Sequence, residues 1–423
     1  MRLFPVARVP DAVFVLSASV LQRGSAFVLT ISAVRHLAPS EFGAFGYGYA
    51  TAVGLSAFFG DAISAAALRE PDTKGGLAGP CGVVLSAYLG LAIVGAAALA
   101  GLTGLAAILG AENRSVGGTF AIVVLSFCLA LSTSAFSILC RRGYRKHAAV
   151  CSIGGSAVIL TGAIWPGGLP DASAYLWVSA VGVMATLACH LAHLSRKAGL
   201  DIRVSRSSIA GLRGERASFL AKTSAALALG GPVHWLCLTI LASSGDGMVQ
   251  VAIYAAFFQW YLVLTFLPSS LAAITVPWLA AGYSTKGGAE LSRRLNRVLG
   301  YVLAVGGGVV AVAAFGAPTV AGLYGTEYAE HWPALVAAIA CAVVAVLIAF
   351  GMQAYLASGR AGENLLATLV YSAQYLASTA ILVGYFDWGA LGLFTALLLA
   401  SLVQLGLQHY LLARPAAKIG ANR

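Results

Sequence analysis

A chain of 423 residues that is 59% hydrophobic and only 10% charged is too apolar for a soluble protein, in which about 25% of residues are charged. Its mean hydropathy of +0.86 and repeated uncharged runs of about 20 residues indicate a polytopic helical membrane protein. The net charge of +11 is not a nucleic-acid signal, because nearly all of the basic residues fall in one set of loops.

Taken in order, the apolar runs predict twelve membrane-crossing helices near 12–34, 43–67, 81–109, 118–140, 148–167, 173–194, 217–242, 250–280, 297–323, 332–357, 364–386 and 388–413. Arg2 and Arg8 precede the first run as they would in a signal peptide. That run is far longer than an h-region of about 7–15 residues, so it reads as an uncleaved first helix. With the N-terminus in the cytoplasm, all but three of the 26 Lys and Arg residues fall in inside segments, as the positive-inside rule requires. The exceptions are Arg35 and Arg114, in outside loops, and Arg23, within the membrane. Both termini are therefore expected in the cytoplasm. The longest hydrophilic stretch, 195–216, divides the chain nearly in half. Six helices on each side predict a duplicated architecture with lobes at 1–206 and 207–423.

The charges inside the first two spans are the sharpest functional signal. Arg23 lies near the centre of the first span and Asp61 about two turns past the centre of the second. An arginine at mid-bilayer costs about 2.5–3.5 kcal/mol on insertion scales, so it should face protein or water. Ser19, Gln22, Arg23, Ala26 and Thr30 share one helical face. Tyr47, Thr51, Gly54, Phe58 and Asp61 share another on the second span. Two such faces predict one wall of a watery cavity. In it Arg23 would attract an anion such as a phosphate, and Asp61 could take a coupling cation or proton. The alternative is a buried Arg23–Asp61 pair that merely fixes the two helices, although their depths differ by about 9 Å.

Further along, Lys222 stands at the cytoplasmic mouth of the seventh span, with His234 and Trp235 deeper. Tyr254, Tyr261 and Thr265 share a face of the eighth and could contact a sugar or form an aromatic packing seam. Gln22, Tyr47, Lys222, His234, Tyr254 and Tyr261 join Arg23 as candidates for the cavity lining. Pro232, within LGGPVHW, and Pro268 remove backbone hydrogen bonds inside spans. They are candidate hinges or tolerated kinks.

The seven cysteines form no CxxC pair and show no histidine at ligand spacing. They read as buried structural thiols, with neither a disulfide nor a metal site expected. Glu327, Glu330 and His331 fall together in YGTEYAEHW, which reads as a solvated loop. No HExxH, GxSxG, Walker A or Rossmann fingerprint stands in a proper context. The chain is therefore not expected to be an enzyme or to hold an organic cofactor.

The stretch HLAPSEFGAFGYGYATAVGLSAFFGDAISAAALRE resembles the signature of polysaccharide-export flippases in the multidrug/oligosaccharidyl-lipid/polysaccharide superfamily. There an LGPxEFGxY link leads into a helix ending DLGxxxAxxRE. Glu41, Phe42 and Gly43 match the link, and Asp61 with Arg69 and Glu70 matches the end; Ile63 stands where the pattern has glycine. The segments VAIYAAFFQWYLVLTFLPSSLAAITVPWLA, LYGTEYAEHWPAL and WGALGLFTALLLA resemble later family stretches in the same order. The resemblance implies two six-helix lobes of the MATE type around a central cavity lined by helices 1, 2, 7 and 8. It also implies export of undecaprenyl-pyrophosphate-linked oligosaccharides, O-antigen or exopolysaccharide units, across the bacterial inner membrane. Transport would proceed by alternating access coupled to H+ or Na+ without nucleotide. The partners implied are the lipid-linked glycan, membrane lipid and a polysaccharide polymerase or export machinery. A drug antiporter of the same superfamily and a membrane enzyme of glycan assembly stand as alternatives.

Overall fold

The computed structural model describes residues 9–69, a few helical residues between 89 and 101, and residues 116–196 and 215–414. The third expected span, and the boundary at 206/207, fall largely outside them. Every other expected span is a helix within a few residues of its predicted place, and the described residues contain no strand. The chain forms two compact units, Met1–Gln259 and Trp260–Arg423.

The first unit contains α1 (Val9–His36), α2 (Pro39–Arg69), α3 (Val116–Arg141), α4 (Arg145–Ala163), α5 (Ala172–Arg196) and α6 (Glu215–Ala242). Only Leu37 and Ala38 separate α1 from α2, yet the two do not pack as a hairpin. Instead α2 lies against α3 and α6, while α1 lies along α4. The cause is written in small residues. A Cβ on Gly54 would come within 3.3 Å of the Gly231 carbonyl on α6, and one on Gly60 within 3.1 Å of the Ala130 carbonyl on α3. Lipid is as apolar as leucine, so helices in a bilayer associate where backbones can approach closely. The Arg23 face of α1 offers no such surface.

The second unit contains most of α7 (Gly247–Gly322), the single turn α8 (Thr326–Ala329), α9 (Trp332–Ser358), α10 (Ala361–Thr379) and α11 (Gly389–Ala413). The sequence predicts two spans, 250–280 and 297–323, where the structure has one helically bonded stretch. Arg294 nevertheless donates to the Trp278 carbonyl at 2.7 Å and stacks over its indole at 5.0 Å. In a straight helix these residues would stand about 24 Å apart, so α7 doubles back and supplies two arms. Leu279, Leu291, Leu295 and Leu299 near the bend pack on Leu347 and Phe350 of α9. Trp260 Nε1 donates to the Tyr324 hydroxyl at 2.9 Å across the far ends of the arms. Burial pushes that phenol up to about 12. At the other end of the unit, Arg360 donates to the Leu411 carbonyl at 2.7 Å and to Glu363 at 2.8 Å, tying α10 to the end of α11.

Candidate functional site

The open side of α1 is the feature that needs an explanation. Gln22 and Arg23 are both exposed in the middle of this helix, whereas Ser25, Leu29 and Thr30 are buried. The Arg23 guanidinium lies within electrostatic reach of the Tyr49 hydroxyl on α2. A mid-span guanidinium that the protein leaves uncovered demands water or an anion rather than lipid. The side chain of Asp61 lies outside what is described; its backbone belongs to α2.

The other cavity candidates occupy different environments. Tyr47 is buried, and its hydroxyl shares a hydrogen bond of 2.8 Å with Thr239 Oγ1, joining α2 to α6. Lys222 is exposed near the start of α6. His234 is half-buried and stacks on Phe258 at 5.2 Å, with Tyr254 at 5.8 Å. Tyr254 itself is buried, its hydroxyl 3.5 Å from His234 Nε2. These two form an aromatic cluster between α6 and the start of α7. Tyr261 is half-buried at the head of the second unit.

Neither candidate hinge interrupts its helix: α6 runs through Pro232 and α7 through Pro268, whose ring is not described. Pro232 follows Gly231, the point where α6 touches α2; a Cβ on Gly231 would collide with the Gly54 carbonyl. The indole nitrogen of Trp235, one turn further on, is buried with no hydrogen-bond partner. In the YGTEYAEHW loop, Glu327 and Glu330 are exposed and Tyr328 is buried beneath them, as expected of a solvated turn.

The cysteines depart from expectation. Cys151 of α4 and Cys189 of α5 are joined as a disulfide, with Cα atoms 5.5 Å apart, and His193 lies beside them. The expectation that no histidine stands at ligand spacing overlooked helical periodicity. His193 follows Cys189 by four residues, and His147 precedes Cys151 by four, so each pair shares a helix face.

The architecture is that of the MATE transporters. The inward-facing conformation of a multidrug resistance MATE family transporter of the MOP superfamily matches 95% of this chain and 97% of its own, with TM-score 0.70 and 16% identity. The outward-facing conformation of such a transporter matches with TM-score 0.67, also at 16% identity over 95% and 94% of the chains. A MOP superfamily transporter from Pyrococcus furiosus, whose binding pocket is described as having reversed polarity, gives 0.69 at 14% identity over 95% of both chains. The protein is thus a multi-pass membrane protein with the MATE fold.

In sequence it is similar to the EPS I polysaccharide export inner membrane protein EpsE of Ralstonia nicotianae, at 26% identity over 394 residues. That match covers 88% of this chain and 86% of the relative. The protein of the same name from Ralstonia solanacearum is 28% identical over 386 residues, 86% and 84% of the two chains. No family model matches. The resemblance read from the link, the second span and the later stretches is matched by similarity over nearly the whole chain, and these relatives and structural neighbours are export proteins and transporters rather than enzymes.

Proposed function

We propose that the protein moves an undecaprenyl-pyrophosphate-linked oligosaccharide across the bacterial inner membrane, from the cytoplasmic to the periplasmic leaflet. The observation that carries this reading is the similarity to polysaccharide export inner membrane proteins along almost the full length of a chain with the MATE fold. Two six-helix lobes, 1–206 and 207–423, alternate access to a central cavity, with both termini in the cytoplasm. The exposed Arg23 in the middle of α1 engages the pyrophosphate or an acidic sugar, since a guanidinium pairs with phosphate through parallel N–H···O bonds. Asp61 takes the coupling cation or proton. Pro232 lets α6 bend where Gly231 meets Gly54 of α2.

The test deletes the gene and locates the lipid-linked repeat units. Completed units should accumulate in the cytoplasmic leaflet. Units that reach the periplasm and stay unpolymerised would point instead to an assembly enzyme, and efflux of fluorescent drugs on expression would favour the antiporter.

A further inference from the structure

The facing surfaces of α4 and α5 carry the same ligand pattern in opposite directions, His147-x3-Cys151 on one and Cys189-x3-His193 on the other. The two helices run antiparallel in close register. A Cβ on Gly155 would overlap Thr186 Oγ1 and the Gly182 carbonyl, and one on Gly162 would overlap Val178. That register sets Cys151 opposite Cys189. About 6 Å further along, it sets His147 opposite His193, their ring centres 4.9 Å apart. Ligand atoms of Cys151, Cys189 and His193 all lie within 4.8 Å of one another. Around a tetrahedral zinc such atoms stand about 3.3–3.8 Å apart, so these three need only small side-chain rotations, and His147, whose ring packs on His193, would turn in as the fourth donor.

From this geometry we infer that the reduced pair Cys151 and Cys189, together with His193 and His147, binds one tetrahedral divalent cation of the zinc class. Two thiolates and two imidazoles are the donor set that selects such an ion. His193 Nδ1 stands 3.2 Å from the Cys189 carbonyl. The same Nδ1 is 3.8 Å from Cys151 Sγ, so it is the nitrogen that faces the sulfurs; a small turn of the ring off the carbonyl gives it to the metal and leaves the proton on Nε2. The burial gradient supplies an entry path: Cys151 is 3% exposed, whereas Cys189, His193 and His147 are half-buried toward the helix ends. Binding of M2+ to two thiols and two neutral imidazoles releases two protons and leaves a complex with no net charge, which suits the edge of a low-dielectric layer.

The sulfurs are joined in the structure, so the metal takes the form that is two electrons more reduced. A cellular dithiol supplies two electrons and two protons by thiol–disulfide exchange and is itself oxidised to a disulfide. In the topology proposed above, the site lies at the cytoplasmic ends of α4 and α5, where thiols are kept reduced. The metal would staple these two helices at their inner ends.

The experiment uses the full chain in detergent after reduction, titrated with Co2+ and then Zn2+. One Co2+ per chain should bind, with a thiolate-to-cobalt charge-transfer band and the visible spectrum of a tetrahedral ion, and Zn2+ should displace it. C151S or C189S should abolish the band. H193A or H147A should weaken binding by at least about tenfold, and C128S should leave it unchanged. A readout free of substitutions follows alkylation by mass spectrometry, in which Zn2+ should protect Cys151 and Cys189 but not Cys140. Absence of the band in the reduced wild type, or equal alkylation with and without Zn2+, would overturn the inference. So would a Cys151–Cys189 disulfide in membranes quenched with alkylating agent at lysis. None of these readouts depends on the transported substrate.

Discussion

The α4–α5 interface and the outer side of α1 lie in the same compact unit and are built on opposite rules. Between α4 and α5, glycines at 155, 162 and 182 bring backbones so close that an added methyl group has no room. On α1, Gly24 has nothing within 4 Å of where a Cβ would stand, and Gln22 and Arg23 project from a surface that α2 does not cover. Apolar character does not distinguish the two, because in a bilayer it drives no helix toward another. Close backbone approach marks what is held together. An uncovered polar face inside a span marks what is left open for water or a ligand.

The comparison is broken most severely by enlarging the close-packed side. Gly155→Val should destabilise the protein by about 3 kcal/mol, the upper end of overpacking costs, read as a lower thermal unfolding midpoint in detergent. A midpoint equal to wild type would mean that α4 and α5 do not approach as described. On the open side the effect should move from stability to transport. Arg23→Ala should leave the midpoint unchanged while lowering export of lipid-linked units at least about tenfold, equivalent to about 1.4 kcal/mol of lost interaction. Arg23→Lys should retain part of the activity, because it keeps the charge and loses the planar fork. Full activity in both variants would remove the anion role. The smallest effect sharpens the contrast within a single dipeptide. Gly154 has nothing within 4 Å, unlike its neighbour, so Gly154→Ala should stabilise α4 by about 0.5–1 kcal/mol through helix propensity alone, while Gly155→Ala should destabilise it.

Much of the architecture was legible because a bilayer imposes length and apolarity on each segment, and each is a local property of sequence. The spans from 118–140 to 173–194 fall on α3, α4 and α5 within a few residues. The reversal of α7 was also visible, as the charged stretch holding Lys286, Arg293 and Arg294 between two apolar runs, although its backbone stays helical where a loop was expected. The candidate site was legible only in part. Arg23 stood out by its position, and the structure leaves it uncovered. Tyr47, chosen for sharing a face with Asp61, spends its hydroxyl on Thr239, because α6 rather than α1 packs against that side of α2.

By itself, then, the sequence determined that this chain crosses a membrane many times and where the apolar helices among the described residues lie, since those follow from residue-by-residue transfer energies. Which helices touch was decided only in three dimensions. Adjacency in the chain joins α1 to α2 through two residues, yet glycine contacts send α2 to α6 and α3. The same long-range register brings His147 and Cys151 to Cys189 and His193, 38 residues away between the cysteines. A four-residue spacing on one helix is a local fact. That two such spacings meet is a consequence of packing, and packing in lipid is set by backbone approach rather than by the hydrophobicity that composition records.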